Sequence, residues 1–285
     1  MKKIIIVITL LAATVVGAAP VRSMVAARNA INIKSVSNGP SARDYIQDGL
    51  IAHWDGIENV GYGEHDSNST IWKDLVGIRD ATLAEFATFS ADSLCAFNRD
   101  SSQKAAMAQT TGANRIEEPV GDEDYIMIEI GFRRNANYTV YGDGVSVFTP
   151  GSKSPSGYNS RFACIGAGNT KYNRLSLSGQ VSTYKDFYTW EWTVRHTVTA
   201  LYNKNFTGGG YYCSNNHNYI DGKHASFSGT DGSRLRIRSS GVSFGGNGST
   251  EGLDGEVLFC RIYARELSAE EVAYNYSLDK VRFGL

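Results

Sequence analysis

Short runs of alternating apolar and polar residues, separated by glycine, asparagine and aspartate, recur through the 285-residue sequence. In the segment 194–202, even-numbered positions are mostly apolar or aromatic, and positions 195, 197 and 199 are polar. Strand residues alternate between the two faces of a sheet, so this pattern predicts strands with one buried face and one solvated face. Many such short runs predict an all-β sandwich.

Four Asp-Gly pairs punctuate these runs. The type I′ hairpin turn needs positive φ at both central residues, which Asp-Gly supplies readily. We therefore predict hairpin turns at Asp143-Gly144, Asp221-Gly222, Asp231-Gly232 and Asp254-Gly255.

Composition agrees with a folded, turn-rich β protein. The chain has 30 glycines, only 5 prolines and 11% aromatic residues, which argues against disorder and against a collagen-like chain. Lysine and arginine number 28 and aspartate and glutamate 29, giving a net charge of −1. Without a basic excess to neutralise a phosphate backbone, the chain is not expected to bind nucleic acid.

The first residues read as a secretory signal peptide. Lys2 and Lys3 precede an apolar run over 4–16, and small residues follow at 17–19. We predict cleavage after Ala18, which makes 1–18 the signal peptide and the mature chain secreted or displayed at the cell surface. An uncleaved anchor is the alternative, although the apolar stretch 4–19 is shorter than the roughly 20 residues that cross a bilayer.

Two further segments are distinguished by their patterns. Residues 19–44 mix small, polar and basic types without a period, and predict a linker or N-terminal arm before a domain at 45–285. Near the other end, Ser268 and Glu271 have the spacing of a capping box, so a helix is predicted to begin there and run towards Asp279.

The four cysteines leave two interpretations open. Cys95, Cys164, Cys213 and Cys260 form an even set, and export would permit disulfides in any of three complete pairings. Their wide spacing does not fit a zinc site. Cys260 lies in an apolar strand pattern, where a free thiol behaves as a small core residue.

Several motifs lie near the two ends of the predicted domain. DGLIAHWDG lies at 48–56 and WKDLVG at 72–77, while NYIDGK lies at 218–223, LDGEV at 253–257 and RIYARELSAEEV at 261–272. The first two resemble the opening of bacterial LamG-like domains of the concanavalin A-like lectin/glucanase superfamily. The last two resemble the last strand and following helix of that family, and NYIDGK resembles one of its hairpins. The resemblance implies a jelly-roll β-sandwich with a short C-terminal helix.

Because the superfamily includes β-glucanases, the resemblance raises the question of hydrolysis. Retaining glycosidases need two carboxylates about 5 Å apart. The E-x-D-x-x-E pattern of those glucanases is absent from the sequence. The nearest substitutes, Asp254 with Glu256 and the acidic run 122–124, are interpreted as turn or surface residues. We expect no enzyme and no catalytic residue.

Calcium is the ion that the resemblance makes relevant, because LamG-like domains sometimes bind it through loop oxygens. The polar loop 64–68 offers such oxygens, but its ligands lack the regular spacing of an EF-hand loop. An ordinary solvated loop is the favoured interpretation, and no cofactor or metal ligand is predicted.

Sugar binding requires an exposed aromatic surface with amides or carboxylates nearby. In an extended segment, Tyr188, Trp190 and Trp192 would share one face, and Tyr211 and Tyr212 follow three glycines in what reads as a flexible loop. These five are the candidate ligand-binding residues. The competing interpretations are a core or rim position for the first three and a mobile connection for the tyrosine pair.

The sequence thus favours an exported, non-catalytic β-sandwich on a bacterial cell surface. It would bind a glycan or surface polymer, as in adhesion. The alternative is a structural or protein-interaction subunit of an extracellular assembly, whose partners are other extracellular proteins. A glycoside hydrolase is the third hypothesis.

Overall fold

The computed structural model describes fifteen stretches of the chain. They are 34–35, 39–90, 95–97, 108–110, 125–134, 145–150, 162–165, 174–177, 183–186, 193–205, 210–226, 234–235, 242–246, 253 and 255–285. Within these stretches most residues of regular structure are in strands, and residues 32–285 form one compact unit.

The strands and the helix follow one another in chain order. They are β1 (Lys34–Ser35), β2 (Leu50–Asp55), β3 (Glu64–His65), β4 (Ile71–Trp72), β5 (Ala81–Leu83), β6 (Ala87–Phe89), β7 (Cys95–Phe97), β8 (Ala108–Thr110), β9 (Tyr125–Arg134), β10 (Val145–Pro150), β11 (Phe162–Ile165), β12 (Arg174–Leu177), β13 (Thr183–Asp186), β14 (His196–Asn205), β15 (Gly210–Ile220), β16 (Lys223–His224), β17 (Arg234–Leu235), β18 (Val242–Phe244), β19 (Gly255–Tyr263) and α1 (Ala269–Phe283).

Two large antiparallel sheets make up the sandwich. The eight-stranded sheet has the order β13-β12-β11-β10-β18-β8-β5-β4. The nine-stranded sheet has the path β16-β15-β14-β9-β19-β7-β6, with β2 joined to β19 and β17 joined to β15. Some paired strands are consecutive in the chain, as β14 and β15 are, and others are distant, as β9 is from both β14 and β19. This arrangement confirms the predicted all-β sandwich with a short C-terminal helix.

The main core lies between the two sheets. Trp54 of β2 contacts Phe244 of β18 with ring centroids 5.1 Å apart, and Trp72 of β4 contacts the same ring at 5.0 Å. Val198, Ala200 and Tyr202 of β14 belong to this core, as the alternating pattern predicts. The prediction that the opposite face of β14 is solvated is wrong, because Thr197 and Thr199 are buried there. Aromatic contacts therefore join one sheet to the other.

The hairpin predictions have different outcomes. Asp221 (φ 51°) and Gly222 (φ 69°) form the turn between β15 and β16, so that prediction is confirmed. The prediction that Gly255 is a turn residue is wrong, because it is the first residue of β19 and pairs with Phe97 and Arg134. Glycine is needed there because a Cβ would overlap the Arg133 carbonyl oxygen. The pairs at 143–144 and 231–232 lie outside the described residues.

Helix α1 begins at the predicted capping box. The Glu271 N–H donates to Ser268 Oγ (3.2 Å), and the Ser268 N–H donates to Glu271 Oε2 (2.8 Å). The helix ends at Gly284, which adopts φ 64° and donates its N–H to the Lys280 carbonyl. A left-handed residue at this position ends a helix most easily when it is glycine.

One face of α1 covers the outer face of the nine-stranded sheet. Its buried residues are Val272, Asn275, Asp279 and Phe283, spaced as one helical stripe. Val272 joins an apolar cluster with residues of β9, β14 and β19, and Phe283 joins a second one with Phe259. The middle of the stripe is polar, so hydrophobic burial alone does not explain how α1 is held.

Arg261 of β19 fills this polar gap. It is fully buried and donates to both carboxylate oxygens of Asp279 (2.8 and 2.7 Å) and to Glu129 of β9 (2.9 Å). Asn275 of α1 donates to the same Glu129 (2.9 Å) and to the Tyr263 hydroxyl (3.0 Å). A buried charge is tolerated when it is paired and hydrogen-bonded, as this one is.

Residues 39–47, called the strap below, cross the same face and complete the network. The Tyr45 hydroxyl donates to Asp279 (2.7 Å), and the Ile46 N–H donates to Asn275 (3.1 Å). Glu58 accepts from the Ala42 N–H of the strap (2.7 Å) and from Arg282 of α1 (3.0 Å). The described parts of the predicted linker are 34–35, which pairs with β3, and 39–44 of the strap. Both contact the domain that follows, and the boundaries at 18 and 44 stay predictions.

Cys260 is a free thiol buried in the main core, as its apolar strand pattern suggests. Burial raises the pKa of this thiol well above its ordinary value. The side chains of Cys95, Cys164 and Cys213 lie outside the described residues. Across the described stretches, no helix has the length and apolar character needed to cross a membrane.

Replacing Gly222 tests the contact between the β15–β16 turn and α1. A Cβ there would lie 2.6 Å from the Tyr276 ring, on a backbone with φ +69°. We expect Gly222→Ala to lower the free energy of unfolding by about 2–4 kcal/mol, combining left-handed strain with overpacking. Gly63→Ala is the matched control, because Gly63 has φ +74° but open space around it. If urea unfolding shows that both variants lose the same free energy of unfolding, the contact between Gly222 and Tyr276 would be contradicted.

The buried ion network gives a second prediction. Arg261→Leu leaves Asp279 and Glu129 without their guanidinium, and we expect the free energy of unfolding to fall by about 3–5 kcal/mol. Arg265 is the control arginine, because it pairs with Glu271 (2.7 Å) at the surface, where such pairs contribute about 1 kcal/mol or less. Urea denaturation of both leucine variants measures the difference. A loss at Arg261 no larger than at Arg265 would show that the network does not hold α1.

Candidate functional site

Only two of the five candidate ligand-binding residues predicted from the sequence lie within the described part of the chain. Tyr188, Trp190 and Trp192 lie outside the described residues. Tyr211 and Tyr212 belong to β15, where they pair with Lys204 and Asn203 of β14. They also pair with β17 on the other side, so the prediction that they stand in a flexible loop is wrong. Their role in ligand binding stays a prediction.

The outer face of the nine-stranded sheet is closed at its centre. Every described outward position there on the four strands beneath α1 and the strap is buried. These positions are His53 and Asp55 of β2, Met127 and Glu129 of β9, Thr197, Thr199 and Leu201 of β14, and Phe259, Arg261 and Tyr263 of β19. This region offers no open surface on which an extended ligand could lie.

The other large face belongs to the eight-stranded sheet. Pairing register aligns five positions in one row across it: Ile71, Thr82, Gln109, Ser243 and Thr149. The sequence neighbours Trp72, Ala81 and Phe244 face the core, so Ile71, Thr82 and Ser243 lie on the outer side. The row consists of hydroxyl and amide residues ending in one isoleucine, and carries no charge.

The two positions of this row nearest the β4 edge are exposed, whereas Ser243 is buried. Ser243 is 6% exposed, Thr82 is exposed, and Ile71 is 38% exposed. The loop after β4 adds Val76 (40%) and Ile78 (74%), two apolar side chains in solvent. Among the described side chains, the accessible part of this edge therefore combines the Thr82 hydroxyl with apolar surface.

Asp74 fixes the conformation of this edge loop. Its Oδ1 accepts from the backbone N–H groups of His53 (3.0 Å) and Val76 (3.2 Å), and its Oδ2 from the Arg79 N–H (3.3 Å). Arg79 in turn donates to the Ile51 carbonyl (2.6 Å). The loop is thus hydrogen-bonded to β2 and presents its isoleucine on a defined framework.

The acidic residue nearest to a glucanase-like position is bound by arginines. Glu256 of β19 accepts from Arg133 (2.7 Å) and from Arg195 (3.1 Å), and its side chain is 10% exposed. Arg195 also donates to the Phe283 carbonyl at the end of α1 (2.6 Å). Both carboxylate oxygens of Glu256 are thus hydrogen-bonded to arginine side chains. Asp254 and the run 122–124 lie outside the described residues.

The loop considered for calcium uses its polar groups internally. His65 is buried, with one ring nitrogen 3.1 Å from the Ile57 carbonyl and the other 3.1 Å from the Ser90 carbonyl. Asp66 Oδ1 accepts from the Asn68 N–H (2.9 Å). Within the stretches that the structure describes, no three His, Cys, Asp or Glu residues are grouped so that they could hold a metal ion.

Sequence reasoning did not find the row on the eight-stranded sheet. Its members come from five strands that are far apart in the chain, and none stands in a recognisable motif. Alternation assigns Thr82 to the polar side of its own strand, between Ala81 and Leu83. It does not say which strands lie beside β5.

Comparison with known proteins gives a likeness in structure alone. No protein-family model matches the chain, and no curated protein matches its sequence. Trypanosoma rangeli sialidase in complex with sialic acid is similar, with a TM-score of 0.54 and 15% identity, over 82% of this chain and 33% of that chain. A mutant of that sialidase displaying trans-sialidase activity gives 0.53 and 16%, over 83% and 34%.

The same enzyme in complex with the inhibitor DANA gives a TM-score of 0.52 and 14% identity, over 85% of this chain and 35% of that chain. The chain thus spans about a third of the length of the sialidases it matches. At such low sequence identity the structural likeness shows the fold alone, and function has to be argued from the site. The LamG-like assignment stays a prediction. The chain is a β-sandwich.

Proposed function

We propose that this chain is an exported, non-catalytic carbohydrate-binding β-sandwich, similar to LamG-like domains. Its glycan would lie on the outer face of the eight-stranded sheet. One observation carries the choice of face: α1 and the strap cover the centre of the nine-stranded sheet, whereas Thr82 and Ile71 are exposed on the other.

The chemistry of the row suits an uncharged sugar polymer. Hydroxyl and amide groups both donate and accept hydrogen bonds, as sugar hydroxyls do. Neighbouring strands are about 4.8 Å apart, so five strands span roughly 19 Å, enough for an extended ligand to contact several positions. Ile71 at the exposed end provides apolar surface for the C–H side of a sugar ring.

The structural neighbours support a sugar ligand at the level of class. Two of the sialidase structures contain sialic acid or the inhibitor DANA. Because the chain spans about a third of those proteins, their hydrolytic activity is not carried over. The binding of Glu256 by Arg133 and Arg195 supports a non-catalytic role.

Substitution of Thr82 tests the proposed face. We expect Thr82→Glu to weaken retention on a polysaccharide affinity gel at least tenfold, because it adds a charge and removes a hydroxyl from the row. Thr88→Glu is the matched control: both threonines are the exposed middle residue of a three-residue strand, but Thr88 belongs to the nine-stranded sheet. The gels should be cast with a panel of neutral and acidic polysaccharides. Binding is measured as the decrease in electrophoretic mobility of the protein in each gel.

Two results would contradict the proposal. Absence of retention on every polysaccharide of the panel would contradict glycan binding. Equal weakening by both threonine variants would contradict the assignment of the site to the eight-stranded sheet. Trp190→Ala and Tyr211→Ala, in the same assay, test the aromatic residues that the sequence nominates. Release of reducing sugar by the wild type, lost in Glu256→Gln, would instead establish a hydrolase.

A second function, participation in an extracellular assembly, is favoured by one observation. Ile78 is 74% exposed and Val76 is 40% exposed in a loop that Asp74 holds in place. Exposed apolar surface on a fixed framework is typical of an interaction site. If assembly is the function, we expect concentration-dependent oligomers in sedimentation velocity, which Ile78→Asp dissociates.

The control for this experiment is Val281→Asp, because Val281 is 67% exposed on α1, away from the loop. A wild-type chain that stays monomeric over the whole concentration range would exclude self-assembly. Oligomers that both aspartate variants disrupt equally would show that the loop is not the contact.

A further inference from the structure

His53 of β2 is a buried imidazole without a hydrogen bond. It has no exposed surface, and neither Nδ1 nor Nε2 has a hydrogen-bond partner among the described residues. Its ring lies edge-on to Tyr45 of the strap, with centroids 5.6 Å apart. A buried polar group that lacks a partner is uncommon, and here it lies beneath α1 and the strap.

The nearest carboxylate to this ring is already occupied. His53 Nε2 is 3.6 Å from Asp55 Oδ2, and the same oxygen accepts from Arg282 of α1 at 2.8 Å. The other oxygen of Asp55 accepts from the backbone N–H groups of Ile57 and Glu58. A proton on His53 would therefore compete with Arg282 for one oxygen.

Charged and titratable groups reach this region from every element around it. They are Asp55 on β2, Arg261 on β19, Glu129 on β9, Asp279 and Arg282 on α1, Tyr45 on the strap, Glu58 after β2, and Asp74, which binds the His53 backbone N–H. The two guanidiniums oppose a positive imidazole, and Asp55 favours it.

We propose that acid loosens the attachment of α1 and the strap to the nine-stranded sheet, with His53 as the group that takes up the proton. The inference is independent of the proposed glycan site, which lies on the other sheet. It rests on the position of His53 between Asp55 and the arginines that hold the helix.

The direction of the pH effect follows from linkage. Burial lowers the pKa of His53, and Arg261 and Arg282 act in the same direction, outweighing Asp55. When α1 detaches, the imidazole regains an ordinary pKa near 6.5. Below that value the detached state binds a proton that the attached state does not. Attachment then weakens by up to tenfold per pH unit, until the lowered pKa is reached.

The carboxylates do not produce this effect in the same range. Burial raises the pKa of Glu129 despite Arg261, so the attached state binds its proton more readily and acid favours attachment through this group. The pKa of Asp55 is lowered despite burial, chiefly by Arg282 and His53. Its contribution is lost only as pH falls below its ordinary value near 4. Loss of attachment between about pH 4.5 and 6.5 therefore distinguishes His53 from both.

Detachment need not unfold the sandwich, because the main core lies on the other side of the sheet. Hydrogen exchange can therefore observe it locally. Between pH 7.5 and 5.0, corrected for intrinsic exchange rates, we expect protection in α1 and the strap to fall about tenfold or more. Amides of β9 and β14 should keep their protection better.

His53→Phe keeps a ring at this position and removes the titrating group, so the fall should disappear. His217→Gln is the control, because His217 is an exposed histidine paired with Glu266 on the surface (2.5 Å), and the fall should persist. Unchanged protection of wild-type α1 at pH 5.0, or the same fall in His53→Phe, would overturn the proposal.

Two measurements keep the test decisive if His53→Phe does not fold. His53→Gln removes the titrating group with a smaller side chain, and the same loss of pH dependence is expected. In the wild type, the His53 ring-proton shift in NMR should stay that of a neutral imidazole below pH 6. An imidazole that titrates at 6.5 or above in the folded protein would overturn the inference.

Discussion

The pairing of Arg261 with Asp279 and Glu129 is the interaction on which the rest of the structure depends. A guanidinium with no exposed surface needs acceptors, and α1 supplies Asp279, one of the two carboxylates that Arg261 binds. Asn275 of α1 donates to the other carboxylate, Glu129. Without α1, the buried Arg261 would lose the Asp279 carboxylate that pairs with it. Once α1 is in place, the centre of the nine-stranded sheet is closed, and the eight-stranded sheet becomes the face available to a ligand.

Local pattern predicted the elements well, because the signals that create them are local. Alternation in 194–202 indicated which side of β14 faces the main core, although it wrongly assigned the other side to solvent. The spacing of Ser268 and Glu271 located the start of α1. The same reasoning could not find the buried network. Asn275 and Asp279 resemble ordinary solvated helix residues until their spacing from Val272 and Phe283 is noticed.

The candidate site was harder to predict for a different reason. Aromatic residues at 188–192 and 211–212 attract attention because sugar rings stack on aromatic surfaces, and their density is visible in one dimension. The row through Thr82 and Ser243 depends on the order of strands in the sheet. Strand order is set by long-range pairing, which hydrophobic periodicity does not encode. Glu256 similarly appears as a turn carboxylate until Arg133 and Arg195 are placed beside it.

The contact between the strap and α1 also constrains the order of folding. Tyr45 and Asp279 are 234 positions apart in the chain, and Pro40 and Arg282 are 242 apart. A growing chain presents Glu58 and Glu129 long before the arginines that neutralise them. Contacts of such sequence separation form slowly and late. The sheet face beneath α1 thus stays unfinished until Arg261 and Arg282 have emerged, so this side of the sandwich can be completed only after nearly the whole chain has been synthesised.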